Sequence, residues 1–103
     1  VAKLVARVAG AHSVIRRQFG LSIGRFEGIE EPLARIAGLT YLMDAARLYT
    51  CGAVDNGQQP AVVSAIAKYQ TTELARQIIN DGMDILGGSG ICRGPRNLLA
   101  NIY

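Results

Sequence analysis

Apolar residues recur at helical spacing through three stretches of this chain, and each stretch stops at glycine or proline. That pattern constrains the fold more than any other feature. A period of 3.6 over more than a dozen residues cannot be satisfied by a strand, whose side chains alternate with a period of two. In the first stretch, Val1, Leu4, Val5, Val8, Ile15 and Phe19 fall on one side and Lys3, Arg7, Ser13 and Arg17 on the other. This predicts a helix running to Gly20, with Arg16 and Arg17 in its last turn, where cations complement the helix dipole. A glycine-rich loop is expected from Gly20 to Gly28. A second helix is predicted from near Ile29, with Glu30, Glu31 and Pro32 in its first turn. Proline is tolerated there because the earliest N–H groups have no helical partner. Leu33, Ile36, Leu39, Leu42, Met43, Ala46 and Tyr49 form its apolar stripe, and Glu31 with Arg35 forms an i, i+4 pair. Gly38 inside that stripe costs about 1 kcal/mol relative to alanine, so close packing against a neighbour is expected there.

Asp55-Asn56-Gly57 marks a turn, and Pro60 opens a third helix. That helix carries Val63, Ile66, Ala67, Leu74, Ile78, Ile85 and Leu86, and it halts at Gly87-Gly88-Ser89-Gly90. After a second break at Gly94-Pro95, a short last helix is predicted through Leu98 and Leu99. Strand signals are nearly absent. The expected fold is all-α, an antiparallel helical bundle, as one domain over residues 1–103. A start at Val1 and a stop at Tyr103 in mid-pattern are read as the ends of a fragment of a larger protein.

Composition bears on what such a bundle does. Half of the 103 residues are apolar, and the mean hydropathy is +0.20. A chain this short buries only about 60–65% of its unfolded surface, so apolar side chains are expected outside, where they mark an interface. The net charge is +3, with Lys3, Arg7, Arg16, Arg17 and Arg25 preceding any acid. A positive end suits an anionic partner, but from charge alone a mixed solvated surface is the favoured reading. Cys51 and Cys92 form no CxxC unit and support neither a disulfide framework nor a metal site. No secretory leader is visible, and no apolar run approaches the roughly 20 residues that span a bilayer. Reducing cytosol is the expected compartment, and any membrane association is left to parts outside this chain.

Two clusters stand out. In Arg16-Arg17-Gln18-Phe19-Gly20, a guanidinium fork matches phosphate oxygens, Gln18 adds an amide, and Phe19 could anchor the turn. Alone, this cluster reads better as a helix end with charge-complementing arginines and one core phenylalanine. In Asp84-Ile85-Leu86-Gly87-Gly88-Ser89-Gly90, glycines allow close approach of a ligand and their N–H groups can face an anion, or they simply cap a helix. These glycines follow a helix, which excludes a Rossmann fingerprint. His12 is read as an exposed helix residue. Met43, Tyr41, Tyr49 and Tyr69 are read as packing. No complete catalytic site lies within the chain.

Together, in order and at this spacing, the two clusters resemble the acyl-CoA dehydrogenase family, whose C-terminal domain carries R-x-x-F-G, two long helices and a Q-[IV]-L-G-G-x-G loop. Phe26-Glu27 is similar to an F-Q pair of that family, and Gly94 to Leu99 resembles its bacterial long-chain branch. The resemblance implies a parent enzyme that oxidises acyl-CoA to trans-2-enoyl-CoA with FAD and passes electrons to a transfer acceptor. It implies a homodimer or homotetramer, with this bundle as the interface and FAD of a neighbouring subunit against it. On this basis the cofactor-binding residues are Arg16, Gln18, Phe19, Phe26, Glu27, Asp84, Gly87 and Gly88. The catalytic glutamate falls outside this chain. Glu27 and Asp84 replace family glutamines, which puts acid beside an anionic cofactor. Two other classes compete: an oligomerisation or adaptor bundle, and a basic helical nucleic-acid-binding module, which would need a compact recognition helix.

Overall fold

The computed structural model describes residues 1–103. Helix α1 (Ala2–Ile15) leads into a minimal hairpin, β1 (Arg17–Gln18) and β2 (Leu21–Ser22). A 3₁₀ turn at Ile23–Arg25 then enters α2 (Glu27–Asp55), which is followed by α3 (Ala61–Leu86), the one-turn α4 (Gly88–Ile91) and a tail of turns. The fold is an all-α bundle with α1, α2 and α3 packed on one another.

The first helix stops at Ile15, five residues short of the expected Gly20. Arg16 is already extended, at φ −69° and ψ 127°, and its N–H closes the last turn on His12 O. Ser13, buried, turns its hydroxyl back to Ala9 O at 2.7 Å, a local bond that competes with continued helix. The chain then pairs Arg17 with Ser22 and Gln18 with Leu21. Ile23 is buried beneath the pair and donates to Arg16 O at 2.9 Å. The residues linking Gln18 to Leu21 are Phe19 at φ 51° and Gly20 at φ 80°, so this is a turn with two left-handed positions. Such turns favour Asn-Gly, which is why Phe-Gly gave no strand signal. Ile15 and Phe19, counted on the apolar stripe, are both exposed.

Helix α2 begins at Glu27, two residues early, with Glu27 and Glu30 favouring the positive end of the dipole. Pro32 therefore lies beyond the first turn. It leaves the Gly28 carbonyl without its helical donor, but Gly28 is exposed and water can serve it. At the other end Gln58 N–H bonds Ala53 O and Gly57 N–H bonds Val54 O, a Schellman stop at the expected turn. Helix α3 then returns antiparallel to α2, starting directly after Pro60. Arg35 on α2 grips Asp81 on α3 with two hydrogen bonds of 2.7 and 2.8 Å.

Val5, Ile36, Ile78 and Leu99 are the largest fully buried apolar side chains. Gly82 lets α1 and the tail approach α3: a Cβ there would lie 2.5 Å from Val5 Cγ1 and 3.0 Å from Leu99 Cδ1. Gly38, where close packing was expected, faces open space. The predicted last helix is instead a run of turns, held by Asn101 donating to Gly94 O at 3.0 Å. His12 is half-buried rather than exposed. Of the residues read as packing, Met43 joins the core rim, while Tyr41, Tyr49 and Tyr69 are exposed.

Candidate functional site

The two sequence clusters lie at the same end of the bundle because of topology. Helices α2 and α3 are antiparallel and joined by a short loop, so the start of α2 and the end of α3 lie side by side. The Arg35–Asp81 pair sets that register. The hairpin feeds straight into the start of α2, which brings Arg16, Gln18, Phe19, Phe26 and Glu27 to the end where Asp84, Gly87 and Gly88 close α3.

Within the hairpin, side chains alternate. Arg16 and Gln18 share one face, and both are exposed and free of hydrogen bonds and ion pairs within the chain. Arg17 lies on the other face and donates to Gly20 O across the turn at 2.6 Å. The two arginines therefore do not end a helix, as expected, but point to opposite sides of an extended strand. Phe19 is 93% exposed. It does not anchor the turn; it stands at the tip, with its ring edge-on to Phe26 at 6.3 Å. The foot is Phe26, half-buried against the core at the start of α2. A left-handed backbone at a bulky residue costs about 1–2 kcal/mol, and an exposed ring returns little of that by burial.

At the second cluster, Gly87 adopts φ 61° and ψ −138°, a conformation open to glycine alone. Its N–H is spent on Met83 O and Asp84 O, so it does not face outward as an anion donor. The following residues are not a flexible loop. They form α4, folded so closely on α3 that a Cβ at Gly90 would sit 2.7 Å from Met83 O. Gly88 faces open space. Asp84 is exposed and lines an open groove of about 360 Å³ with Asn80, Met83, Gly87, Ile91 and Tyr103.

Charge pairs elsewhere hold elements together. Asp81 holds the Arg35 guanidinium protonated well above its usual range. Asp44 on α2 binds Lys3 of α1 and Arg47 at 2.9 Å each, and these hydrogen bonds, Lys3 first, lower its pKa. Neither pair was legible in the sequence, since Arg35 and Asp81 are 46 residues apart.

Fold and site define a class: an all-α bundle domain that presents a basic, aromatic hairpin beside a glycine-closed helix end. Over residues 1–103 the chain matches the family described as acyl-CoA dehydrogenase, C-terminal domain, and it belongs to that family. The family is generally FAD-dependent and points to an oxidoreductase parent. No helix is long and apolar enough to cross a membrane.

Proposed function

We propose that this chain is the C-terminal helical domain of a flavin-dependent acyl-CoA dehydrogenase, and that its hairpin end holds FAD bound to a neighbouring subunit. The observation that carries this reading is Arg16: an exposed, unpaired guanidinium beside the Gln18 amide, with the Phe19 ring displayed next to it. A free guanidinium fork suits the pyrophosphate, the amide suits its oxygens or the ribose, and Phe19 with Phe26 offers an aromatic wall. Glu27 and Asp84 accept hydrogen bonds but do not donate them when ionised, so they fit only the hydroxyls and amine of the cofactor. The Gly87–Gly88 backbone would lie against its adenine end. When bound, FAD supplies the hydride acceptor for oxidation of acyl-CoA to trans-2-enoyl-CoA. The catalytic base and the electron-transfer contact belong to other parts of the enzyme. Tyr41, Tyr49, Tyr69 and Leu42, all exposed on α2 and α3, are assigned to the contact between subunits of a homodimer or homotetramer.

The test is FAD retention in the full-length enzyme. A charge-assisted contact to phosphate contributes about 1.5–3 kcal/mol, so Arg16→Ala raises the FAD Kd roughly tenfold or more. Arg17→Ala has a clearly smaller effect, because its guanidinium lies on the opposite face of the strand and is engaged by Gly20 O. Flavin content after dialysis and titration of FAD into apoprotein measure both. Equal losses, or a larger loss for Arg17→Ala, would overturn the assignment of Arg16.

A further inference from the structure

We propose that Arg17 is a positioning residue: it locks the tip of the hairpin from the face opposite Arg16 and so holds the Phe19 ring in place, an inference that rests on the proposed FAD-binding role of this hairpin. The base of the hairpin is secured by the buried Ile23, whose N–H reaches Arg16 O. The tip is not. Its strands are two residues long, Phe19 is exposed and meets the rim of the core only edge-on at Phe26, and a Cβ at Gly20 would meet nothing. Two-residue strands have marginal stability on their own. Phe19 at φ 51° lies in a region that bulky residues avoid, so the turn relaxes unless something over-determines it.

The group that does so is the Arg17 guanidinium. It spans from β1 to the carbonyl of the second turn residue at 2.6 Å, a short charge-assisted bond. Closing that span ties the end of the turn to its beginning and leaves Phe19 edge-on to Phe26. Because strand side chains alternate, the clamp acts from the side that Arg16 and Gln18 do not use. Arg17 therefore acts through Phe19 and makes no contact with the cofactor.

The test is a double-mutant cycle in the full-length enzyme, with FAD Kd measured at low and high salt for Arg17→Ala, Phe19→Gly, the double variant, and Arg16→Ala as reference. Glycine accepts both turn conformations, so Phe19→Gly keeps the hairpin while removing the ring. Loss of one hydrogen bond corresponds to about a two- to fivefold rise in Kd for Arg17→Ala, below that of Arg16→Ala. In the Phe19→Gly background the same substitution changes Kd less than about twofold. Salt dependence falls with Arg16→Ala and is retained with Arg17→Ala. The proposal is overturned if Arg17→Ala costs the same factor in both backgrounds, if it flattens the salt dependence as Arg16→Ala does, or if Kd is unchanged while Arg16→Ala and Phe19→Gly both raise it. If all three substitutions leave Kd unchanged, the FAD-binding role of the hairpin fails, and this inference fails with it.

Discussion

Glycines at three helical or helix-terminal positions answer different physical demands. Gly87 is required by backbone conformation, since its φ of 61° with ψ −138° excludes a side chain. Gly82 is required by packing, because Val5 and Leu99 occupy the space of a Cβ. Gly38 is required by neither. The last two make opposite predictions for the same chemical change. Gly38→Ala gains helix propensity in open space and stabilises by about 0.5–1 kcal/mol. Gly82→Ala gains the same propensity but overpacks the junction of three segments, at about 1–3 kcal/mol, and is net destabilising. Thermal melts of the two variants should move in opposite directions. Two changes of the same sign would show that the junction of α1, α3 and the tail is looser than described. The sequence marked Gly38 because it interrupts an apolar stripe, but a stripe shows only that a face is apolar. Which residue lies opposite is a property of the assembled bundle.

At the scale of elements, charge pairs fix register where the apolar faces alone leave it loose. The fork–fork pair of Arg35 and Asp81 joins α2 to α3, and Asp81 is nearly buried, so its carboxylate depends on that partner. The anticipated Glu31–Arg35 contact exists at 3.4 Å but is the exposed, weaker side of the same guanidinium. Asp44 does the equivalent work between α1 and α2 through Lys3. Its lowered pKa sets the sign of a pH effect. A carboxyl with a depressed folded pKa contributes stability above the ordinary aspartate value of about 3.9, and that contribution is lost as pH falls through the folded value. Acid unfolding of Asp44→Asn should therefore be shallower below about pH 4 than that of the unsubstituted chain, with the difference between the two constant above it. Melting temperature followed from pH 6 downward measures this. Parallel curves through the acid range would remove Asp44 from the account.

The whole molecule is unevenly built. It measures 54 × 27 × 18 Å, and the 14 residues of α1 accompany only part of α2, which is 29 residues long. The buried cluster includes Val5, Ile23, Ile36, Ile78 and Leu99, where α1, the 3₁₀ turn, α2, α3 and the tail meet. Beyond Arg47, α2 and α3 face each other without a third helix, and Leu48, Tyr49, Val54, Val62, Ile66 and Tyr69 are exposed. An apolar surface of this kind on two antiparallel helices is self-complementary in principle. The chain should sediment as a dimer or larger at tens of micromolar, well within the range of weak contacts of about 1–100 μM. A monomer at that concentration would count against the subunit-contact assignment.

Read alone, the sequence determined the all-α class, the antiparallel pairing of two long helices, the stop at Asn56-Gly57, the start at Pro60 and the end of α3 at Gly87. Each rests on local physics: the 3.6-residue period, the missing N–H of proline, and the backbone freedom of glycine. The two motif clusters were also legible, because both are contiguous in the chain. The hairpin was not, since Phe19-Gly20 takes a turn that Phe disfavours and only the burial of Ile23 with the Arg17–Gly20 bond holds it there. Its consequence, that Arg16 is free and Arg17 occupied, could not be read from two adjacent arginines. The long-range partners of Arg35 and Asp44, namely Asp81 and Lys3, the opposed roles of Gly38 and Gly82, and the exposure of the tyrosines likewise emerged only from packing. Periodicity says which residues face inward on one element; contacts between elements far apart in sequence decide what those faces meet.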